Sequence, residues 1–264
     1  MQTVTSSAFA TAFYFDVELA ADVAPFARVV EALFSRKRGL YQFLIPVENT
    51  KAQPPKPLDL GKLLERITDG GVSVAAVETP PKTADPEQMR VSVSTTPIAN
   101  RPERFSHTRC RYAFDAQFGA ASMDELGAQC VLDPIVAFAD AMGARAGIAL
   151  WADTTIFASS LVTCGGSSQL TREQDRRVLA LMDGRSRWGE VIRGPQWGTF
   201  LGRTHVEQLG GIARIERESG CARVVSLASG GAFLQTTTID APIVEGHDDG
   251  SVLARLAQFL APVM

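Results

Sequence analysis

The sequence predicts a single α+β domain, residues 1–264, in which helices flank a mixed or largely antiparallel sheet. Segments rich in β-branched and aromatic residues predict roughly eight or more strands, and apolar residues at helical spacing predict about five helices. The strands follow one another in runs instead of alternating strictly with helices, and this order favours an antiparallel or mixed sheet. Since 45% of the 264 residues are apolar, the chain is long enough to bury one large core.

The N-terminal half carries strong strand signals. Alternating, β-branched or aromatic residues predict strands at 11–19, 40–47, 72–77, 89–95 and 107–118. Helices are predicted at 21–39 and 58–71, because their apolar residues fall on one face. The proline-rich segment 48–57 is predicted to be a loop that sustains neither a sheet ladder nor a helix.

The C-terminal half mixes helices and strands. Residues 122–143 are predicted to form a helix that is interrupted near Pro134, since proline lacks the N–H that a helix interior needs. Further helices are predicted at 167–184 and 250–264. The remaining predicted strands are 144–153, 211–218, 222–229 and 232–239.

Charge and cysteine content restrict the possible class of protein. The net charge of −3 argues against direct nucleic-acid binding, which usually requires a concentrated basic surface. The four cysteines are too widely spaced for a metal clip and indicate thiols in a reducing compartment. No run of about 18 apolar residues is present, so no membrane-spanning helix is expected. These features predict a cytoplasmic protein, and they leave homo-oligomer formation open.

Sequence motifs for catalysis or cofactor binding are absent. There is no Walker loop, no dinucleotide fingerprint and no nucleophile elbow. The histidines His107, His205 and His247 lie far apart, and none has a partner ligand at helical spacing. The sequence therefore predicts no catalytic residue, no metal and no cofactor. Two alternatives stay open: a small-molecule-binding module, and an enzyme whose site assembles from distant residues such as His205, His247 and Asp248.

The segment GPQWGTFLGRTHVEQLGG, residues 194–211, concentrates glycine and carries one of only three tryptophans. In the structural interpretation, its glycines permit tight turns, its apolar side chains fill the core, and Thr204 with Glu207 forms a capping box that starts a short helix. In the alternative interpretation, Arg193 and Trp197 form an exposed anchor pair at an interface. The residues given a structural role are Gly194, Pro195, Trp197, Gly198, Phe200, Leu201, Gly202, Gly210 and Gly211.

The order W-x-x-x-x-x-G-P-x-W-G-T-F-L-G over 188–202, followed by LGG, resembles the C-terminal signature of a type VI secretion immunity family. This is the TsiV-like family, which is named for its VRR-Nuc nuclease partners. The resemblance is strongest over 144–264. It implies a non-enzymatic antitoxin that binds a cognate toxic effector and covers its active site, and a nuclease is one candidate for that effector. The signature carries no catalytic residue to transfer.

Carboxylates are the candidate contact residues for such an effector. A nuclease cleft is basic and binds metal, so an inhibitor that places carboxylates where phosphates would lie both steers association and blocks DNA. The candidates are Glu216 and Glu218 on a predicted strand, with Asp240, Glu245, Asp248 and Asp249 in or near the loop before the last helix. Ordinary surface charge is the alternative for each of them. If the effector is not a nuclease, there is no reason to expect acidic contact residues, but inhibition by covering the active site is still expected.

Overall fold

One antiparallel sheet forms the centre of the molecule. The computed structural model describes residues 7–47, 53–80, 83–95, 112–163, 167–182, 192, 194–245 and 251–264. The strands of this described part are β1 (Ala8–Phe15), β2 (Tyr41–Pro46), β3 (Lys56–Pro57), β4 (Val72–Glu78), β5 (Met89–Ser94), β6 (Tyr112–Phe118), β7 (Ala146–Ala152), β8 (Gly198–Leu201), β9 (Arg223–Ser226) and β10 (Ala232–Gln235). Their order across the sheet is β3-β2-β4-β5-β6-β1-β7-β8-β10-β9. The predicted α+β class with a largely antiparallel sheet is confirmed.

Helices cover the sheet on both faces. Within the described ranges they are α1 (Ala24–Phe34), α2 (Leu60–Thr68), α3 (Ala120–Leu126), α4 (Ala128–Ala141), α5 (Thr155–Thr163), α6 (Arg172–Met182), α7 (Arg203–Gln208), α8 (Ile212–Glu218) and α9 (Ser251–Leu260). None of these helices is both long enough and apolar enough to cross a membrane.

The first face of the sheet carries the main core. Phe13 and Phe15 of β1 point to this face and pack against Phe138 of α4, with ring centroids 5.8 and 6.1 Å apart. Helix α1 lies beside α4 and adds Phe26, whose ring centroid is 6.3 Å from that of Phe138. Residues of α2 and α3 join the same cluster. The core therefore rests on aromatic side chains that alternate along β1.

The second face of the sheet is divided between two smaller cores. Ala8, Ala10 and Ala12 of β1 point to this face and form one core with α5 and α6. The small alanine side chains let α5 lie close to the strand, and α5 contacts both β1 and β7. Further along the sheet, residues of β8 and β10 form the other core with α7, α8 and α9.

Three local predictions are wrong. Residues 211–218, predicted as a strand, form α8, because Ile212 and Ile215 have helical spacing and Arg214 pairs with Glu218 four residues on. The helical break predicted at Pro134 lies at Gly127, whose positive φ of 79° ends α3 just before α4 begins. Within the loop predicted at 48–57, residues 53–57 are described, and Lys56–Pro57 pairs with β2 as an edge strand, where proline is tolerated.

Phe138→Ala should destabilise the fold by about 3–5 kcal/mol, because it empties a buried aromatic site in the main core. The measurement is the free energy of unfolding from denaturant titration of the purified chain. The control is Leu179→Ala on α6, where the side chain is 54% exposed and the change should stay within about 0.5 kcal/mol. Equal effects of the two substitutions would contradict the assignment of Phe138 to the core.

Candidate functional site

The middle of the 194–211 segment is a strand of the sheet. Gly198–Leu201 forms β8, which pairs with β7 on one side and β10 on the other. Trp197 is 1% exposed, so the interpretation of Trp197 as an exposed anchor is wrong, and Arg193 lies outside the described residues. The Phe200 ring centroid is 5.3 Å from that of Phe13 and 4.7 Å from that of Phe233. The sequence favours a turn here because this strand is only four residues long and begins with glycine.

Two glycines of the segment are required by close approach of neighbouring chain, and not by tight turns as predicted. A Cβ on Gly198 would lie 2.8 Å from Ala149 Cβ and 2.9 Å from the Phe233 ring. A Cβ on Gly202 would lie 2.5 Å from the carbonyl oxygen of Arg145, to which the Gly202 N–H donates at 2.8 Å. Both contacts join β8 to its neighbours in the sheet.

The other glycines of the segment have positive φ. Gly194 has φ 105°, and Gly210 and Gly211 have φ 88° and 90°. L side chains rarely adopt these conformations, so glycine is favoured at each position. Gly210 and Gly211 reverse the chain between α7 and α8, while Pro195 is half-buried after Gly194.

Helix α7 begins two residues earlier than the predicted capping box requires. Gly202 precedes its first residue, Arg203, and the His205 Nδ1 accepts the Gly202 N–H at 3.4 Å. Glu207 accepts a bond from Arg203 Nε at 2.8 Å instead of capping Thr204. Because Arg145 holds Gly202 at the end of β8, the helix starts at Arg203, and the Thr204–Glu207 capping box is wrong.

A cleft of about 410 Å³ lies beside α7, and the end of the segment forms one of its walls. The loop between α4 and β7 and the turn between β9 and β10 form the other walls. This volume falls within the range of small-ligand sites. Its polar lining consists of Arg145, Arg203, Thr204, His205, Gln208 and Ser229. No acidic residue in the described part of the chain lines it, and its two arginines, Arg145 and Arg203, are each paired with a carboxylate from outside the lining.

Neighbouring carboxylates hold the walls of the cleft in place. Arg145 Nη1 donates to Asp16 Oδ2 at 2.6 Å. The backbone N–H of Ser229 donates to Asp140 Oδ1 at 2.9 Å and ties the β9–β10 turn to the end of α4. These contacts join parts of the chain that are distant in sequence. Local sequence patterns therefore gave no signal for Arg145 and Arg203 as a pair.

The candidate acidic contacts lie in different surroundings. Glu218 on α8 accepts bonds from Arg214 at 2.8 Å and from Arg217 at 2.9 Å, and these bonds, with Arg214 first, lower the pKa of Glu218. Glu216 is exposed on the same helix, which replaces the strand predicted for both residues. The helix carries two arginines and two glutamates, so its charges cancel.

The remaining acidic candidates follow β10. Asp240 is exposed, and Glu245 is half-buried with its Oε1 3.4 Å from Arg177 Nη1. The Glu245 N–H also donates to the Trp151 carbonyl at 2.7 Å, which fixes this stretch against β7. Asp248 and Asp249 lie outside the described residues. The described carboxylates are thus spread over two elements, and two of them are already paired with arginines.

Of the residues named for the alternative enzyme, only His205 lies within the described ranges, where it is 4% exposed. His247 and Asp248 fall outside these ranges. Among the described side chains, no three of the His, Cys, Asp and Glu type come close enough to hold a metal ion.

Comparison with known proteins gives a match in fold. Neither the family models nor the curated proteins contain a match to this sequence. Among solved structures, the Pseudomonas aeruginosa T6SS protein PA0821 is similar, with a TM-score of 0.63 and 11% sequence identity. The similarity covers 97% of this chain and 77% of that chain. The shared architecture therefore extends over nearly the whole of the present chain.

Gly202→Ala should destabilise the fold by about 1–3 kcal/mol, because the new methyl group collides with the backbone of Arg145. The free energy of unfolding is again the measurement. Gly61→Ala in α2 is the matched control, since its Cβ would meet nothing nearer than 3.7 Å. Alanine there should stabilise the helix by up to about 1 kcal/mol. A neutral Gly202→Ala would show that this strand contact tolerates a side chain.

Proposed function

We propose that the protein is an immunity protein that binds a cognate type VI secretion effector and neutralises it by occluding its active site. The similarity in fold to a T6SS protein over 97% of the chain is the observation that carries the proposal. The resemblance of the 188–211 segment to the immunity family supports it independently, because that resemblance rests on residue order and the other on architecture. A nuclease is the effector class that the family resemblance favours.

The architecture is suited to rigid-body binding. The sheet is packed on both faces and its central strand, β1, is completely buried. The surface helices and loops are therefore attached to a rigid sheet. A preorganised surface loses little conformational entropy on binding, and this improves affinity for a given contact area. Inhibition by occlusion needs only such a surface and no catalytic group.

Two of the candidate carboxylates among the described residues are suited to contact a basic partner. Glu216 and Asp240 are exposed and form no ion pair with any other described residue. Their charge is therefore available to a basic partner, whereas Glu218 and Glu245 already pair with arginines. If the effector is a nuclease, the protein must act where DNA is, which places its action in the cytoplasm.

The direct test is co-expression of the chain with the product of the neighbouring gene in a susceptible bacterium. The expected result is that cells survive induction of that product only when this chain is also present, and that the two proteins co-elute in size-exclusion chromatography. Expression of the toxin alone and of this chain alone gives the controls. A neighbouring product that is harmless, or a soluble chain that neither protects nor co-elutes, would refute the immunity role.

Glu216→Lys and Asp240→Lys should weaken effector binding, on the order of tenfold for the pair, or about 1.4 kcal/mol. The loss should appear mainly as slower association at low salt, because surface charges act through long-range attraction that salt screens. Surface plasmon resonance over a range of salt concentrations measures it. Glu31→Lys on α1 makes the same charge change at another exposed site and is the control. Association rates that match those of the control would remove these carboxylates from the interface.

A further inference from the structure

The cleft beside α7 presents two arginines that the rest of the chain holds in position. Arg145 is fixed by Asp16, and Arg203 by Glu207, in each case through a short bond to a carboxylate. The aliphatic part of Arg203 also rests on Gly230, because a Cβ at that glycine would lie 3.2 Å from the Arg203 Cγ and Cδ. The side chain is 75% exposed, and it lies along the rim of the cleft between Glu207 and Gly230.

Arg203 brings unused hydrogen-bond donors to the rim of the cleft. Arg203 uses Nε for Glu207, and its terminal nitrogens donate to no other residue in the described part of the chain. Thr204, Gln208 and Ser229 add hydroxyl and amide groups, and none of the described lining residues is a carboxylate. A planar guanidinium with unused donors matches the oxygens of a carboxylate or phosphate group.

We propose that this cleft binds an anionic group, a carboxylate or a phosphate, between Arg145 and Arg203. The group comes either from a free small anion or from an acidic residue of the partner protein, and the chemistry of recognition is the same for both. The site is built on arginines, and none of the described carboxylates that the immunity mechanism uses is in its lining. It does not depend on the immunity function.

The chain contains a matched control for Arg203. Arg214 on α8 also donates from Nε to a glutamate four residues on, at the same 2.8 Å, and it does not line the cleft. Replacing either arginine by alanine thus removes the same charge and the same type of ion pair. Only the Arg203 substitution removes a wall of the cleft.

The test is an NMR titration of the full chain with malonate and, separately, with inorganic phosphate at constant ionic strength. Saturable shifts should centre on the residues that line the cleft. Arg203→Ala and Arg145→Ala should each weaken the apparent affinity by about tenfold or more, as expected for loss of a charge-assisted bond, and Arg214→Ala should not. Arg203→Lys keeps the charge and should retain part of the affinity. Absence of saturable shifts in the wild type, or equal effects of Arg203→Ala and Arg214→Ala, would overturn the proposal.

A second measurement identifies the source of the anion. Effector affinity is compared by calorimetry for the wild type, Arg203→Ala and Arg214→Ala. If Arg203→Ala weakens both anion binding and effector binding, an acidic residue of the effector supplies the group. If it weakens anion binding alone, a free small anion is the ligand. The first titration contains no effector, so a failure of the immunity role leaves the result on the cleft unaffected.

Discussion

The pairing of Phe13 with Gly147 in the centre of the sheet is the contact on which the rest of the fold depends. A Cβ on Gly147 would overlap Phe13 Cβ and the backbone of β1, so only glycine allows β7 to lie against β1 at this point. The Phe13 ring then meets Phe114 of β6 at 4.7 Å and Phe200 of β8 at 5.3 Å. The Phe13 ring therefore contacts strands on both sides of β1, and the register of β1 against β6 and β7 fixes where it lies.

The same register places the cleft. Gly147 pairs with Phe200, so two residues away along each strand Arg145 comes to lie against Gly202. Gly202 is required for the same reason as Gly147, since the absence of a side chain lets its backbone contact that of Arg145. The positions of Arg145 and Arg203 are thus determined by strand pairing, which is far more rigid than a surface loop. The pairing of β7 with its neighbouring strands therefore positions both the core aromatic residues and the candidate anion site.

This dependence explains how much the sequence could predict. A long element with a clear period, such as α1, follows from local patterns, since its apolar residues reveal the buried face. The strand predicted at 11–19 lies at Ala8–Phe15, because β1 is buried on both faces and no change of polarity marks its start. Prediction failed in 194–218, where β8 has four residues and the spacing of Ile212 and Ile215 was misinterpreted as a strand pattern. The cleft was missed for a different physical reason: its arginines meet only after β7 pairs with β8, and single-sequence patterns contain no information on pairing.

The relation between core and surface also bears on partner specificity. Similar architecture at 11% identity shows that the fold tolerates wide change in sequence, because core positions require size and periodicity more than particular residues. The exceptions are positions such as Gly147 and Gly202, where any side chain meets backbone. The glycines of such a segment are therefore required by the fold. Exposed residues, in contrast, can change at little cost to stability. If the chain binds an effector as proposed, exposed side chains such as Glu216 and Asp240 would determine which one, because similarity in fold at 11% identity carries no information on the partner.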